Sequence, residues 1–421
     1  MKIIADLHIH SHYSRATSEK MNVEELSHYA SLKGLNLLGT GDFTHPLWFK
    51  ELKEKLDNVE DGIYQFNKMN FILSSEISLI YLQNKKLRKV HLVVLSPSFE
   101  IVEQINQWLL TKGRLDYDGR PIFSMTCPEF TEKIMEISKD NFIVPAHAWT
   151  PWFGIFGSNS GFDSVEECFQ DQTKNIHALE TGLSSDPEMN WRLSSLDKYT
   201  LISNSDSHSP WSSRIGRECN VFELNKLTYR NLINAIKEKN PKRFLYTIEV
   251  DPAYGKYHFD GHRNCGIVLE PKEAIKMNNI CPVCKRPLTI GVLHRVEELA
   301  DREPGFVPKN AIPFKRLLPL TELIANKYKI GLFSKRVFEK EQFFIKRFGN
   351  ELNVLLNAEI DELKEVDENL ADTIIKNREG KIEINPGYDG VYGEPIINDK
   401  MLKKDIKKNN QNDLKRFLSQ D

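Results

Sequence analysis

Met1-Lys-Ile-Ile-Ala-Asp6-Leu-His8-Ile-His10 opens the chain with a short apolar run that ends in a His-x-His pair. In a strand successive side chains alternate faces, so His8 and His10 project to the same side. Two imidazoles on one face at a strand end can hold a metal ion. The pattern recurs down the chain, where further short apolar runs end in acids and histidines.

The runs fall at residues 3–4, 35–39, 71–73, 91–95, 142–144, 176–179 and 201–202. Between them lie amphipathic stretches at 22–33, 46–55, 128–139 and 228–237, with Asn22 and Thr228 placed to cap helices. This alternation over residues 1–245 predicts an α/β barrel of parallel strands and helices. Sites in such barrels form at the C-terminal ends of strands. The candidate metal ligands sit there in sequence: His8, His10, Asp42, His45, Glu76, His91, His147, Asp206 and His208. Glu180 is a further candidate, as ligand, as partner to a ligand or as a substrate contact. Mixed imidazole and carboxylate donors suit Zn, Mn or Fe, and more donors than one ion needs imply a cluster.

Composition sets bounds. With 421 residues the chain is long enough for two or three domains. Its 40% hydrophobic and 28% charged residues are ordinary for a globular protein, and a net charge of −2 does not advertise a polyanion partner. A neutral total can still conceal a basic face. No membrane span is expected, and Asp6 and His8 interrupt any signal-peptide pattern, so a cytoplasmic location is expected. Six cysteines, three of them clustered, fit a reducing compartment with one metal site better than a disulfide framework.

That cluster lies in a Gly/Pro/Cys/His-rich segment, 246–308. His262-Arg-Asn-Cys265 and Cys281-Pro-Val-Cys284 form two matching knuckles separated by fifteen residues. Such knuckles converge on one tetrahedral Zn²⁺, and a closed four-donor site is structural. His262 completes the first knuckle; His294 is the alternative fourth donor. Arg263 beside it is a candidate DNA contact. Residues 309–421 are helical in pattern, interrupted at 385–393, and end in a Lys/Asn-rich tail expected to be flexible.

An apolar loop follows His147, with Trp149, Trp152 and Phe153. Aromatic side chains at a catalytic mouth stack on bases or wedge into a duplex. Arg192 and Arg214 are candidate phosphate contacts.

The motifs Asp-Leu-His-Ile-His-Ser-His, Gly-Thr-Gly-Asp-Phe-Thr-His, Ser-Ser-Glu-Ile, Pro-Ala-His-Ala and Ser-Asn-Ser-Asp-Ser-His span residues 6–208. They resemble the PHP (polymerase and histidinol phosphatase) superfamily, which implies a distorted β/α barrel, up to three metal ions and phosphoester hydrolysis. Two departures leave the metal count open: Phe43 stands where the superfamily usually has His, and Ser14-Arg15-Ala16 where an Asp or His is common. Joined to the His-Arg-Asn-Cys-Gly and Cys-Pro-Val-Cys knuckles and the following Leu-Thr-Ile-Gly-Val-Leu-His-Arg-Val-Glu-Glu-Leu-Ala-Asp-Arg, the whole resembles the endonuclease Q family. That resemblance implies a DNA repair endonuclease nicking 5′ of deaminated bases (uracil, hypoxanthine, xanthine) and of abasic sites. The expected ions are Zn²⁺ in the knuckles and in the barrel, with Mg²⁺ or Mn²⁺ as alternatives for catalysis. Asp206, Glu76 and His208 are the expected catalytic residues, with Asp206 orienting the attacking water. The expected partners are single- or double-stranded damaged DNA and repair or replication proteins. A small-molecule phosphatase and a non-enzymatic DNA-binding scaffold remain open.

Overall fold

A computed structural model describes residues 1–397; the Lys/Asn-rich tail expected to be flexible lies outside them. The first region runs β1 (Lys2–Asp6), α1 (Val23–Lys33), β2 (Leu37–Gly39), α2 (Pro46–Lys55), β3 (Asp57–Glu60), β4 (Ile63–Phe66), β5 (Met69–Gln83) and β6 (Lys86–Ser96). It continues through α3 (Phe99–Leu110), β7 (Ile122–Phe123), α4 (Cys127–Ile137), β8 (Phe142–Pro145), α5 (Val165–Phe169), β9 (Ala178–Glu180), α6 (Pro187–Asn190) and β10 (Thr200–Ile202). β11 (Cys219–Glu223), α7 (Tyr229–Glu238) and β12 (Phe244–Glu249) close it.

The predicted helices form where their caps dictate. Asn22 accepts from Glu25 N and Thr228 from Asn231 N, each satisfying an otherwise unpaired first-turn donor. The seven apolar runs all fall in or beside strands, but the sheet is mixed rather than parallel. β5 and β6 make a long antiparallel hairpin from Leu73↔Ser96 to Gln83↔Lys86. Its turn is Asn84-Lys85, both at positive φ (53° and 62°), the conformation that two-residue hairpins require. β1 pairs parallel with β2 and antiparallel with β11. β9 and β10 form a separate parallel pair, linked to the large sheet by isolated bridges Ile143↔Ile176 and Ile9↔Ser207.

One apolar cluster takes Ala5, Leu37, Ile72, Val93, Val144, Ala178 and Ile202 from seven strands, and Leu232 and Ile236 of α7 join it. These seven strands thus share a common core.

β13 (Asp260–His262), β14 (Ile267–Leu269), α8 (Pro271–Lys276) and α9 (Val292–Leu299) carry the cysteine knuckles. Then follow β15 (Phe314–Arg316), α10 (Leu320–Tyr328), α11 (Lys335–Phe348), α12 (Glu351–Leu356), α13 (Ile360–Arg378), β16 (Glu383–Asn385) and β17 (Glu394–Ile396). The third region is therefore not purely helical. β15 adds to β12 in the large sheet, and Tyr388 bridges back to Phe259.

Candidate metal centre

The His8–His10 segment is pinned beside the 204–208 loop: Leu7 N donates to Asn204 Oδ1 at 2.9 Å and His10 N to Ser207 O at 3.0 Å. Each imidazole is then aimed by a buried carboxylate. His8 Nδ1 lies 3.0 Å from both oxygens of Glu180, which also accepts from His147 N and Asn204 Nδ2. His10 Nδ1 lies 3.0 Å from Asp42 Oδ1. With Nδ1–H donated in each ring, the Nε2 lone pair faces the centre, an arrangement that fixes the tautomer of a ligating histidine.

Two groups of donors result. His8, His10, Glu76 and Asp206 offer atoms within 4.8 Å of one another, and so do Glu76, His91 and His147. Glu76 belongs to both. Its Oε1 is 2.8 Å from His91 Nδ1 and 3.0 Å from His147 Nε2; its Oε2 is 3.3 Å from His10 Nε2. His8 Nε2 is buried with no hydrogen-bond partner, 3.6 Å from Asp206 Oδ1. An orphaned imidazole nitrogen among carboxylates fits a cation between them.

The carboxylates draw positive charge into the same place, so a proton and a metal ion compete for Nε2 of His8 and of His10. Burial opposes the charge on Glu76, yet His91 and Arg120 hold its carboxyl well below the ordinary range. Burial likewise opposes protonation of His8 and His10, but Glu180 and Asp42 respectively, with neighbouring carboxylates, draw protons onto both. Burial pushes His91 down to about 4 against the pull of Glu76, leaving it a neutral donor. Asp42, His147 and Asp206 have positive φ (48°, 30° and 47°). Non-glycine residues there cost on the order of 1–3 kcal/mol each, strain that the surrounding contacts must offset.

Other expected residues are placed differently. Asp42 is outside both groups: Ser11 N, Ser11 Oγ and Ser14 Oγ saturate its Oδ2. Gly119 makes this possible, because a Cβ there would strike Asp42 Oδ2 and Ser14 Oγ. His45 is also outside, stacked on Tyr13 with centroids 4.3 Å apart where α2 begins. His208 lies over His10 (4.6 Å), its Nδ1 donating to Asp206 O, with 34% of its side chain exposed at the cleft.

That cleft, of about 570 Å³, joins Asp206 and His208 to Trp152, Tyr254, Tyr257 and Glu322. Trp152 is 41% exposed and meets Tyr257 edge-on at 5.4 Å. Trp149 instead is core: it is 1% exposed and its Nε1 donates to Asn190. Phe153 packs on His91 at 4.3 Å and so supports a donor ring. Arg192 is buried in an ion pair with Glu297, which corrects its expected role as a phosphate contact. Arg214 lines the cleft, and Arg263 is exposed on the first knuckle.

His262, Cys265, Cys281 and Cys284 come together as a four-donor group. The knuckles are equivalent: Gly266 and Lys285, each just after the second donor, have φ of 64° and 61°. A Cβ at Gly266 would meet nothing, so both residue types fit the turn. His294 is held elsewhere, its Nδ1 2.5 Å from Asp260 Oδ2.

The fold has a counterpart among solved structures. The crystal structure of PfuEndoQ, a lesion-specific endonuclease from Pyrococcus furiosus, is 34% identical, with a TM-score of 0.86 over 98% of this chain and 99% of that one. The chain belongs to the endonuclease Q family. A structure of endonuclease Q with a 27-mer duplex bearing an abasic lesion at the active site is also 34% identical (TM-score 0.85, 97% of this chain, 100% of that one). Uncharacterized protein MJ0043 of Methanocaldococcus jannaschii is 36% identical over 256 residues, 59% of this chain. This chain spans 31% of that relative's length. Residues 319–381 match the family described as the MJ0043 C-terminal domain.

In this member of the endonuclease Q family, several site residues escaped the sequence reading. Arg120, from an Asp-Gly-Arg-Pro turn, donates to Glu76 Oε2 at 3.0 Å. Asn204 joins Leu7 to Glu180. Tyr254, Tyr257 and Arg217 reach the cleft from segments with no motif of their own.

Proposed function

We propose that this chain is a divalent-metal-dependent DNA repair endonuclease that hydrolyses the phosphodiester 5′ of uracil, hypoxanthine, xanthine and abasic sites. The observation that carries the reading is Glu76, one buried carboxylate common to two donor groups whose members His147 and Asp206 line an open cleft. Divalent ions held by His8, His10, Glu76 and Asp206, and by Glu76, His91 and His147, supply Lewis acidity toward water and phosphoryl oxygen. Glu180 and Asp42 orient the histidines. Asp206, 28% exposed, orients the attacking water. His208, on the open side, contacts the phosphate. Zn²⁺ in the four-donor knuckle group is structural, because that set leaves no open position.

The apolar cluster drawn from seven strands, with its two bridges, supports a distorted β/α barrel over 1–245. Residues 246–308 then form a zinc ribbon, and the remainder a mainly helical unit. A cleft walled by segments from all three regions favours a polymer over a small monoester. Its aromatic rim, Trp152 and Tyr257, suits stacking on an unpaired base. A deaminated or missing base pairs weakly, so extruding it from the duplex costs less than extruding a normal one. No helix among the described residues is long and apolar enough to cross a membrane, which accords with a cytoplasmic enzyme that meets DNA and its repair or replication proteins. The test is a panel of end-labelled duplexes carrying each lesion or none, incubated with Mg²⁺ or Mn²⁺. Lesion-dependent nicks on the 5′ side support the reading; monoester hydrolysis without nicking, or binding alone, refutes it.

A further inference from the structure

Beside the metal centre the cleft has a second charged feature. Arg214 and Arg217 follow Asp206 and His208 in one loop, and all four line the same cavity. Arg217 Nη2 donates to the carbonyl of Ser205 at 3.2 Å, which ties it to the residue before Asp206. Its Nε is buried and has no hydrogen-bond partner. Glu218, Glu322 and Asp206 act on this half-buried guanidinium from a distance. No carboxylate among the described residues is in direct ion-pair contact with it, so its Nε is a donor open to an anion in the cleft.

Arg214 has one. Its Nη1 donates to Glu322 Oε1 at 2.9 Å, and Tyr254 O–H donates to Glu322 Oε2. The Glu322 side chain is only 3% exposed and is carried into the cleft by the first turn of α10. A phosphodiester has the charge and the paired oxygens that a guanidinium fork matches.

We propose that Arg217 and Arg214 form a seat for a DNA backbone phosphate next to the metal centre, and that Glu322 occupies Arg214 until that phosphate displaces it. The inference rests on the endonuclease reading above. It assigns Arg217 a direct substrate contact and makes Glu322 a competitor that the C-terminal helices supply. A duplex is thereby read in part through an element outside the barrel.

The test is binding of a fluorescent duplex with one abasic-site analogue to the full chain in EDTA, over a range of KCl concentrations. Arg217→Met removes one phosphate contact, so the slope of log affinity against log salt should fall by about 0.9. Affinity at 0.1 M salt should fall about tenfold. Arg217→Lys keeps the charge and should keep the slope. Glu322→Gln frees Arg214 and should tighten binding about fivefold, a gain that Arg214→Met added to it cancels. An unchanged slope in Arg217→Met, or weaker binding by Glu322→Gln with unchanged thermal stability, overturns the seat. If the unaltered chain nicks lesion duplexes and these variants bind like it, only the seat fails. If the unaltered chain neither binds nor nicks, the endonuclease reading falls and takes the seat with it.

Discussion

Replacing Lys33 with Met should loosen the attachment of the C-terminal helices to the barrel. Lys33 ends α1, and its Nζ donates to Glu351 Oε1 and to Ser212 O, both at 2.8 Å. The two side chains are 2% and 0% exposed. Methionine keeps the aliphatic stem but strands Glu351, whose Oε2 already lacks a partner. Breaking one half of a buried pair costs about 3–5 kcal/mol. Burial, and then the Glu351 charge, push the adjacent Glu341 up to about 7, so the seam holds a second carboxyl that ionises near neutrality. The variant's loss should therefore grow from pH 6 to pH 8, as that carboxyl charges without a cation nearby. Trp211 packs between Tyr29 of α1 (5.2 Å) and Phe338 of α11 (6.3 Å), so tryptophan fluorescence reports on this seam. With a urea slope of about 3 kcal/mol per molar, the midpoint should drop by roughly 1–1.7 M. Lys33→Met with Glu351→Gln should recover most of it, since glutamine keeps the acceptor for Leu320 N without the charge. A drop under about 0.3 M, or no recovery in the double variant, would refute the argument.

Three further outcomes are expected. Glu76→Gln should lower the divalent-ion content of the purified chain by at least one equivalent and reduce nicking at least about 100-fold, because both donor groups share that carboxylate; elemental analysis beside the nicking rate checks it. Cys281→Ser should release the knuckle zinc and make the 246–308 region a target for proteolysis, while ion content at the barrel stays unchanged; zinc retained by this variant would count against the ribbon. Burial pushes Glu249 up to about 8, although Thr247, Thr181 and Ser203 donate to it or lie beside it. Its folded value exceeds the unfolded one, so the folded state binds the extra proton and stability falls as pH rises from about 4.5 through 8. Glu249→Gln should flatten that decline, as read by urea midpoints across pH.

Much of the centre was legible in the sequence because apolar strand segments impose order on side chains, although Glu76 and His91 lie mid-strand in β5 and β6 rather than at strand ends. His8, His10, Glu76, His91, His147 and Asp206 all reached the two donor groups from positions that follow or lie within apolar runs. What escaped depends on distances between segments. Asp42 and His45 sit close in sequence to an apolar run, yet the serines at 11 and 14 claim one and Tyr13 covers the other. Arg192 looked like a free cation because Glu297, its partner, lies 105 residues away. The antiparallel β5–β6 hairpin was missed since Asn84-Lys85 lacks the glycine that usually marks such a turn. The apolar loop after His147 divided for a local reason: Trp149 folds under toward Asn190, while Trp152, three residues on, stays at the mouth.

The central claim is hydrolysis of a DNA backbone at a lesion, and the mass spectrum of the product strands tests it most directly. A duplex with a single abasic site is incubated with the chain and Mn²⁺ in ¹⁸O-labelled water. The account predicts two fragments from the damaged strand, broken 5′ of the abasic site, with one ¹⁸O atom in the phosphate at the break and none in the other phosphates. An unsaturated sugar left by elimination on the 3′ side, or a strand that stays intact, would contradict it.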